Sequence, residues 1–308
     1  MGLFSNNKKL CPICGNPTPR VLPAKLEGMP ICKECEHKSD LPDGMFNKMT
    51  VDEYKKYVDF YDANEALRSS FTESYRYDFG FFGGDLLLDT AHRLFRLKND
   101  DNALVMDASN LKSFRILEDD KIIFDGNANR LKITKTNIRD RVAAMAPQLM
   151  QYTMQLREYE RLEQMERMLD KDDDNRGRRY NPRPIFDFPN PVDKFYVELT
   201  FDHPYWDSFK KKIGGPAFDT DYPSTDIYLQ DYDAAVSNLY TLAVNLMQII
   251  NPSAPEIGAD SENKPQPSVA AQTTVDSVAE IKKYKELLDA GIITKEEFTA
   301  KKRLLMGI

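Results

Sequence analysis

Residues 11–35 read CPICGNPTPRVLPAKLEGMPICKEC and contain all four cysteines of the 308-residue chain. Cys11 and Cys14 form one C-x2-C pair, and Cys32 and Cys35 form a second pair after a gap of seventeen residues. Each two-residue gap bends the backbone so that both sulfurs can face one ion, and two such pairs are typical of a tetrahedral zinc site. The spacing therefore predicts that these four cysteines bind one zinc ion.

The predicted site is structural, because four thiolates fill a tetrahedral shell and leave no position for water or substrate. About 25 residues around one ion cannot bury a core of their own, so we expect the ion to supply the folding energy of a zinc-ribbon-like module at 1–40. Gly15 stands where the turn after the second sulfur commonly needs positive φ. Two disulfides are the alternative, and His37 could replace one thiolate, although a surface histidine is the simpler interpretation.

The charge of the chain is unevenly distributed. The net charge is −7, while residues 1–40 and 277–308 each carry +2, so the residues between them carry −11. An acidic body repels phosphate backbones. No apolar run reaches the roughly 20 residues of a membrane-spanning helix, and the opening MGLFSNNKKL lacks the apolar stretch of a secretory signal. We therefore expect a cytoplasmic protein without a transmembrane segment. In the reducing cytoplasm, free cysteines are favoured over disulfides.

Residues 50–250 predict a central α+β domain with an antiparallel sheet. Thr50 and Glu53 match a capping box that begins a helix over about residues 51–69. Short β-like runs broken by turn residues follow, and we expect strands at these positions: Phe81–Leu88, His92–Leu97, Ala103–Met106, Phe114–Leu117 and Lys121–Phe124.

A second β region and a final helix complete this domain. Apolar residues alternate along 194–201, which predicts a strand with one buried face, and a shorter run near 209–213 can pair with it. An amphipathic helix is expected at 232–250. Several antiparallel strands closed by one helix suggest a curved sheet or partial barrel, as in pleckstrin-homology-like folds.

A long helix is expected as an insertion at about 137–170. Its apolar residues recur at alternating steps of four and three, the signature of a coiled coil: Ile138, Val142, Met145, Leu149, Tyr152, Leu156 and Tyr159. Pro147 either kinks this helix or begins a new one. The helix could form a dimer seam or a docking arm, or it could fold back on its own domain.

The tail is expected to be a linker followed by a helical hairpin. Residues 251–276 contain several prolines and no aromatic residue, which predicts a flexible linker. At 277–308 we expect two short helices separated by Gly291, the second begun by a capping box at Thr294 and Glu297. The apolar side chains of the hairpin include these nine: Ile281, Tyr284, Leu287, Leu288, Ile292, Ile293, Phe298, Leu304 and Leu305. Two helices cannot cover so many, so we expect the hairpin to pair with a second copy or a partner, with docking on its own body as the competing interpretation.

Both ends of the chain resemble known domains. The tail closely resembles the short C-terminal (SHOCT) domain, whose leucine-rich helix, Gly-Ile-Ile-Thr, Glu-Glu-Phe and Lys-Lys-x-Leu-Leu are all present from Leu287 to Leu305. The N-terminus, with MGLF, CPICG, Lys-Leu-x-x-Gly at Lys25 to Gly28 and ICKEC, resembles a bacterial four-cysteine zinc-ribbon-like domain of unknown function. The first resemblance implies oligomerisation and the second implies zinc binding by the four cysteines. Neither implies catalysis.

These features favour a non-enzymatic, zinc-binding interaction or scaffold protein that forms a homo-oligomer through its C-terminal hairpin. An enzyme is disfavoured because the chain has three histidines and no Gly-rich phosphate loop, G-x-S-x-G or H-E-x-x-H motif. His92 and His203 could form an acid–base pair only if their strands were adjacent. The alternative function is nucleic-acid binding through the zinc module, whose cations are Lys8, Lys9, Arg20, Lys25, Lys33 and Lys38.

Overall fold

The computed structural model describes residues 5–80, 83–169 and 182–258. The chain divides into two units, Met1–Pro265 and Gln266–Ile308, and every described residue belongs to the first unit. The hairpin expected at 277–308 and most of the expected linker therefore lie outside the described residues.

The N-terminal part contains two small β-hairpins followed by three helices. Its strands are β1 (Ser5–Leu10), β2 (Pro17–Pro19), β3 (Lys25–Leu26) and β4 (Met29–Pro30). Its helices are α1 (Lys33–His37), α2 (Val51–Ala63) and α3 (Glu65–Ser70). β1 pairs with β2 and β3 pairs with β4, both antiparallel. The two cysteine segments flank these hairpins and lie close together.

The predicted capping box is present at the start of α2. The Thr50 hydroxyl accepts from the Glu53 amide at 3.2 Å, and the Glu53 carboxylate accepts from the Thr50 amide at 2.8 Å. The prediction of one continuous helix to residue 69 is wrong, because α2 ends at Ala63 and α3 begins at Glu65. Asn64 between them bonds both backbone groups of Val105, at 2.7 and 3.0 Å, and ties this junction to the body.

The body contains two sheets whose strands are mostly antiparallel. The first sheet has four strands in the order β5 (Tyr75–Asp78), β6 (Asp85–Asp89), β7 (Leu94–Arg96) and β8 (Met106–Asp107). Three of these strands overlap the expected β-like runs, but each is shorter, and β5 was not expected. Residues 103–105 are buried in a loop rather than a strand because Asp40 and Asn64 hold the amides of Leu104 and Val105.

The second sheet has six strands. They are β9 (Leu111–Glu118), β10 (Lys121–Asn127), β11 (Arg130–Ile133), β12 (Lys194–Phe201), β13 (Ser208–Gly214) and β14 (Glu256–Ile257). The order is β13-β12-β9-β10-β11-β14, and every pairing is antiparallel except that between β11 and β14. The alternation predicted along β12 is confirmed, because Phe195, Val197 and Leu199 are completely buried.

The last helix of the body, α6, spans Thr225–Ile250 and contacts β6 of the first sheet and β9 and β10 of the second. It begins seven residues earlier than predicted because the Ser224 hydroxyl caps it by accepting from the Ile227 amide at 3.4 Å. Apolar side chains of both sheets and of α6 form one core. The α+β prediction is confirmed.

The long insertion is two helices, α4 (Ile138–Ala143) and α5 (Ala146–Leu169), so the prediction of one helix is wrong. Pro147 lies in the first turn of α5, where a missing amide costs no helical hydrogen bond, so it marks a new start. The heptad residues Ile138, Val142, Met145 and Tyr152 are buried in the core of their own chain. The first half of the insertion therefore folds back on its own domain, which was one of the alternatives for this helix.

The expected linker begins later than residue 251. The amide of Leu131 donates to the Pro255 carbonyl at 3.0 Å, and β14 then extends the six-stranded sheet beside β11. Residues 251–258 therefore belong to the body and not to the linker. Local composition could not predict this, because their pairing partner, β11, lies far away in the sequence. None of the described helices has the length and apolar character needed to cross a membrane.

Candidate metal centre

The structure brings the four predicted ligands together. The sulfur atoms of Cys11, Cys14, Cys32 and Cys35 all lie within 4.8 Å of one another and could hold a metal ion. The Cys14 and Cys32 sulfurs are 3.4 Å apart, and all four cysteines are free thiols rather than disulfides. A tetrahedron with metal–sulfur distances of about 2.3 Å has sulfur–sulfur edges of about 3.8 Å, so the donor set fits such an ion in kind and size.

The first pair of cysteines lies in a tight loop after β1. The Cys11 amide donates to the Asn16 carbonyl at 2.8 Å, and the Gly15 amide donates to the Cys11 carbonyl at 2.9 Å. Gly15 has a φ of +76°, a positive value that residues with a Cβ atom rarely adopt. The sequence predicts this conformation. These bonds turn both sulfurs of the loop to the same side.

The second pair lies at the start of α1. Cys32 is the N-cap of this helix, and its sulfur accepts from the Cys35 amide at 3.5 Å. One helical turn therefore separates the two sulfurs, which is the local geometry that a two-residue spacing allows. His37 lies at the exposed end of α1 and is not a member of the sulfur cluster. The structure therefore fits a surface histidine better than a metal ligand at this position.

The environment of the thiols differs from one cysteine to the next. Burial raises the pKa of Cys32 and that of Cys35. At Cys11 burial acts in the same direction, but hydrogen bonds from the backbone of Cys32, Cys14 and Ile13 outweigh it and lower the pKa to about 7. A cation among the sulfurs favours every thiolate and removes the cost of crowding four of them.

Two tyrosines of α2 bind the backbone of the segment that contains the second pair. The Tyr54 hydroxyl donates to the Cys35 carbonyl at 2.6 Å, and the Tyr57 hydroxyl donates to the Lys38 carbonyl at 2.8 Å. Both side chains are completely buried, and their rings stack with centroids 5.6 Å apart. The sequence places both tyrosines in the helix expected at 51–69, but it does not show that their hydroxyls support the cysteine loop.

Asp40 connects the cysteine segment to the body. Its amide donates to the Tyr57 hydroxyl at 2.7 Å, and its carboxylate accepts from the Leu104 amide at 2.8 Å. The Trp206 indole donates to the Asp40 carbonyl at 3.2 Å, and the Tyr205 ring meets the Tyr57 ring edge-on at 5.0 Å. Three cysteines share a buried cluster with α2 and Leu104, so the module at 1–40 does not have a core of its own.

The remaining histidines have separate environments. The Asp89 carboxylate, almost completely buried, lies 2.7 Å from Nδ1 of His92. His203 accepts from the amides of Tyr205 and Trp206 at 3.2 Å, and burial lowers its pKa. Within the described chain these bonds give each histidine its own local role and do not join the two into one acid–base pair.

A separate buried network lies where β9 meets α4 and α6. The Glu118 carboxylate is 1% exposed, forms an ion pair with Arg141 at 2.5 Å, and accepts a hydrogen bond from the Tyr232 hydroxyl. Tyr232 also bonds the Thr136 hydroxyl at 2.8 Å. A cavity of about 360 Å³ beside this network is lined by Glu118, Lys121 and residues of the loop before α4. The paired charges indicate that the network fixes the insertion onto the sheet.

Comparison with known families concerns the other end of the chain. The family model described as Short C-terminal domain matches residues 279–306. Residues 279–306 are a SHOCT domain. This match confirms the resemblance carried by the motifs from Leu287 to Leu305, and it covers only this short segment. No curated protein and no solved structure matches the chain.

We predict that Tyr54→Phe destabilises the N-terminal part without changing the ring packing. The substitution leaves the carbonyl of Cys35 without its donor in a buried position, at a cost of about 1–3 kcal/mol. Urea unfolding of the full chain, followed by circular dichroism, measures this cost. Tyr222→Phe is the matched control, because Tyr222 is 70% exposed; equal midpoints for the two variants would contradict the prediction.

Proposed function

We propose that this chain is a non-enzymatic scaffold protein in which structural zinc stabilises the N-terminal part and the SHOCT domain mediates self-association. The observation that carries the proposal is the sulfur cluster, whose four members lie within 4.8 Å of one another and whose three buried members share a core with α2. A metal bound there would stabilise the cysteine loops together with the helix and the body residues that contact them.

Zinc is the proposed ion because of the donor set. Four thiolates suit a borderline-soft ion that accepts tetrahedral geometry, and four protein ligands leave no coordination position for a substrate. The centre therefore supports a structural role. A reducing compartment such as the cytoplasm suits this role, because the ion requires thiolates and not disulfides.

The body would supply the surface that other molecules recognise. Two mostly antiparallel sheets share one core with α6, which supports the pleckstrin-homology-like arrangement that we keep as part of the proposal. The far half of α5 presents Met165 and Met168, which are 50% and 73% exposed. Exposed methionines are adaptable contact residues, which makes α5 a candidate arm for a protein partner.

Self-association is proposed for the SHOCT domain. The family match supports it together with the many apolar side chains of this segment. Burying each fully contributes roughly 1.5–3 kcal/mol, which favours pairing between two copies over exposure to water. A homo-oligomer built in this way would present two or more copies of the zinc-stabilised part.

Nucleic-acid binding is the second candidate, favoured by the exposed cations of the N-terminal part. Lys9, Arg20, Lys25 and Lys33 are exposed, whereas Lys38 forms an ion pair with Asp62 at 2.5 Å. The charge of −11 between the two ends opposes phosphate, so we rank this function below the scaffold. An electrophoretic shift that weakens with salt and is lost in the triple variant Lys9→Ala, Arg20→Ala, Lys25→Ala would reverse this order.

We predict that the purified chain binds one zinc ion and that Cys11→Ser loses it. Replacing one thiolate with a hydroxyl removes a ligand of the tetrahedral shell and leaves three. Metal analysis by mass spectrometry gives the zinc content per chain. A content below half an equivalent in the native chain, or full zinc in the variant, would contradict the metal part of the proposal.

We also predict that the chain self-associates and that residues 277–308 are required. Light scattering of the full chain should give a mass of at least two copies, and truncation after residue 276 should reduce it to one. The double variant Leu288→Glu, Leu305→Glu places charge on the apolar face and should have the same effect as the truncation.

Lys301→Glu is the matched control for the double variant, because it changes charge in the same segment without removing an apolar side chain. Self-association that survives both the truncation and the double variant would mean that the body, and not the SHOCT domain, forms the contact. Monomers of the full chain at every concentration would refute the scaffold proposal.

A further inference from the structure

The four sulfurs of the cluster differ in their access to solvent. Cys11, Cys32 and Cys35 are each only 3% exposed, whereas Cys14 is an exposed residue. A small molecule that diffuses to the centre therefore reaches Cys14 before the three buried cysteines. Since thiolates are the nucleophilic form of cysteine, an exposed thiolate is the natural point of attack for an oxidant.

The partner for a disulfide is already in place. The sulfur of Cys14 lies 3.4 Å from that of Cys32, which belongs to the other C-x2-C pair. Cys32 and Cys35 are both buried, so a disulfide within the second pair would require the oxidant to reach a covered sulfur. The geometry thus favours a first cross-link between the two loops over one within the second pair.

We propose that Cys14 is the oxidant-sensitive residue of the centre, and that peroxide converts Cys14 and Cys32 into a disulfide with release of the metal. This inference rests on the proposed zinc centre. It adds a modification site and the chemical class of its reactant, hydrogen peroxide, to the structural role of the ion.

The chemistry proceeds in two steps. The Cys14 thiolate attacks one oxygen of peroxide, the O–O bond breaks, and a sulfenic acid and hydroxide form. The Cys32 thiolate then attacks the Cys14 sulfur, the S–S bond forms, and a second hydroxide leaves. The two sulfurs give up two electrons to one peroxide, and the two hydroxides take up two protons to become water. With Cys14 and Cys32 oxidised, only Cys11 and Cys35 would remain to hold a zinc ion, so the centre would lose its metal.

The sequence allows this disulfide to be mapped with one protease. Trypsin cleavage after Lys9, Arg20, Lys25, Lys33 and Lys38 gives three cysteine-containing peptides: 10–20 with Cys11 and Cys14, 26–33 with Cys32, and 34–38 with Cys35. A disulfide between 10–20 and 26–33 is thus distinguished by mass from one between 26–33 and 34–38. Fragmentation of the first species then separates Cys11 from Cys14.

The experiment uses the full chain loaded with zinc, freed of reductant and treated with increasing hydrogen peroxide. A colorimetric chelator follows zinc release, while matched samples are alkylated and mapped. We expect zinc release to rise in parallel with a Cys14–Cys32 disulfide as the first product. A first disulfide between Cys32 and Cys35, or between Cys11 and Cys14, would overturn the inference.

Two histidine variants test the role of exposure. Cys14→His keeps a Cys3His ligand set but removes the exposed cysteine, and we expect peroxide to release its zinc at least about tenfold more slowly. Cys35→His also gives a Cys3His set but keeps Cys14, so its zinc should leave as fast as in the native chain. Equal release from the native chain and Cys14→His would refute the inference, and if Cys14→His binds no zinc, the peptide map of the native chain decides.

Failure of the two proposals gives different results. A native chain without zinc before peroxide is added refutes the zinc centre and this inference with it. A native chain that binds one zinc ion but forms another disulfide first refutes only the role of Cys14.

Discussion

The close approach of four cysteine sulfurs is the constraint on which the N-terminal part of this structure depends. Two hairpins that are too short to bury a core position one loop, and the first turn of α1 positions the other. Burial raises the pKa of Cys32 and Cys35, so without a cation the arrangement favours protonated thiols. A metal ion reverses this preference, and its binding free energy then becomes folding free energy.

This constraint extends to the body through a short chain of hydrogen bonds. The tyrosines of α2 bind the carbonyls of Cys35 and Lys38, and Asp40 connects the same segment to Leu104 and Trp206. Asn64 at the end of α2 adds a second connection through Val105. The cysteine segment is therefore hydrogen-bonded to α2 and to the body, and it is not a separate metal module beside an independent domain.

Local patterns in the sequence predict the parts of this structure that depend on near neighbours. The cysteine spacing, the capping box at Thr50, the positive φ of Gly15 and the alternation along 194–201 all involve residues a few positions apart, and the structure contains each of them. The wrong predictions arise where contacts with residues distant in the sequence determine the bounds of an element. Asn64 divides a predicted helix because it bonds Val105, and residues 251–258 join the sheet through β11. The exposure of Cys14 likewise has no local signal.

The measurement that tests this account most directly is hydrogen exchange of the full chain with and without a zinc chelator under reducing conditions. If the metal stabilises α2 through Tyr54 and Tyr57, amides of Val51–Ala63 should lose protection when zinc is removed, while amides of Lys194–Phe201 in the centre of the six-stranded sheet stay protected. Unchanged protection of α2 after complete removal of zinc would contradict the account, because the helix would then be stable without the centre that it supports.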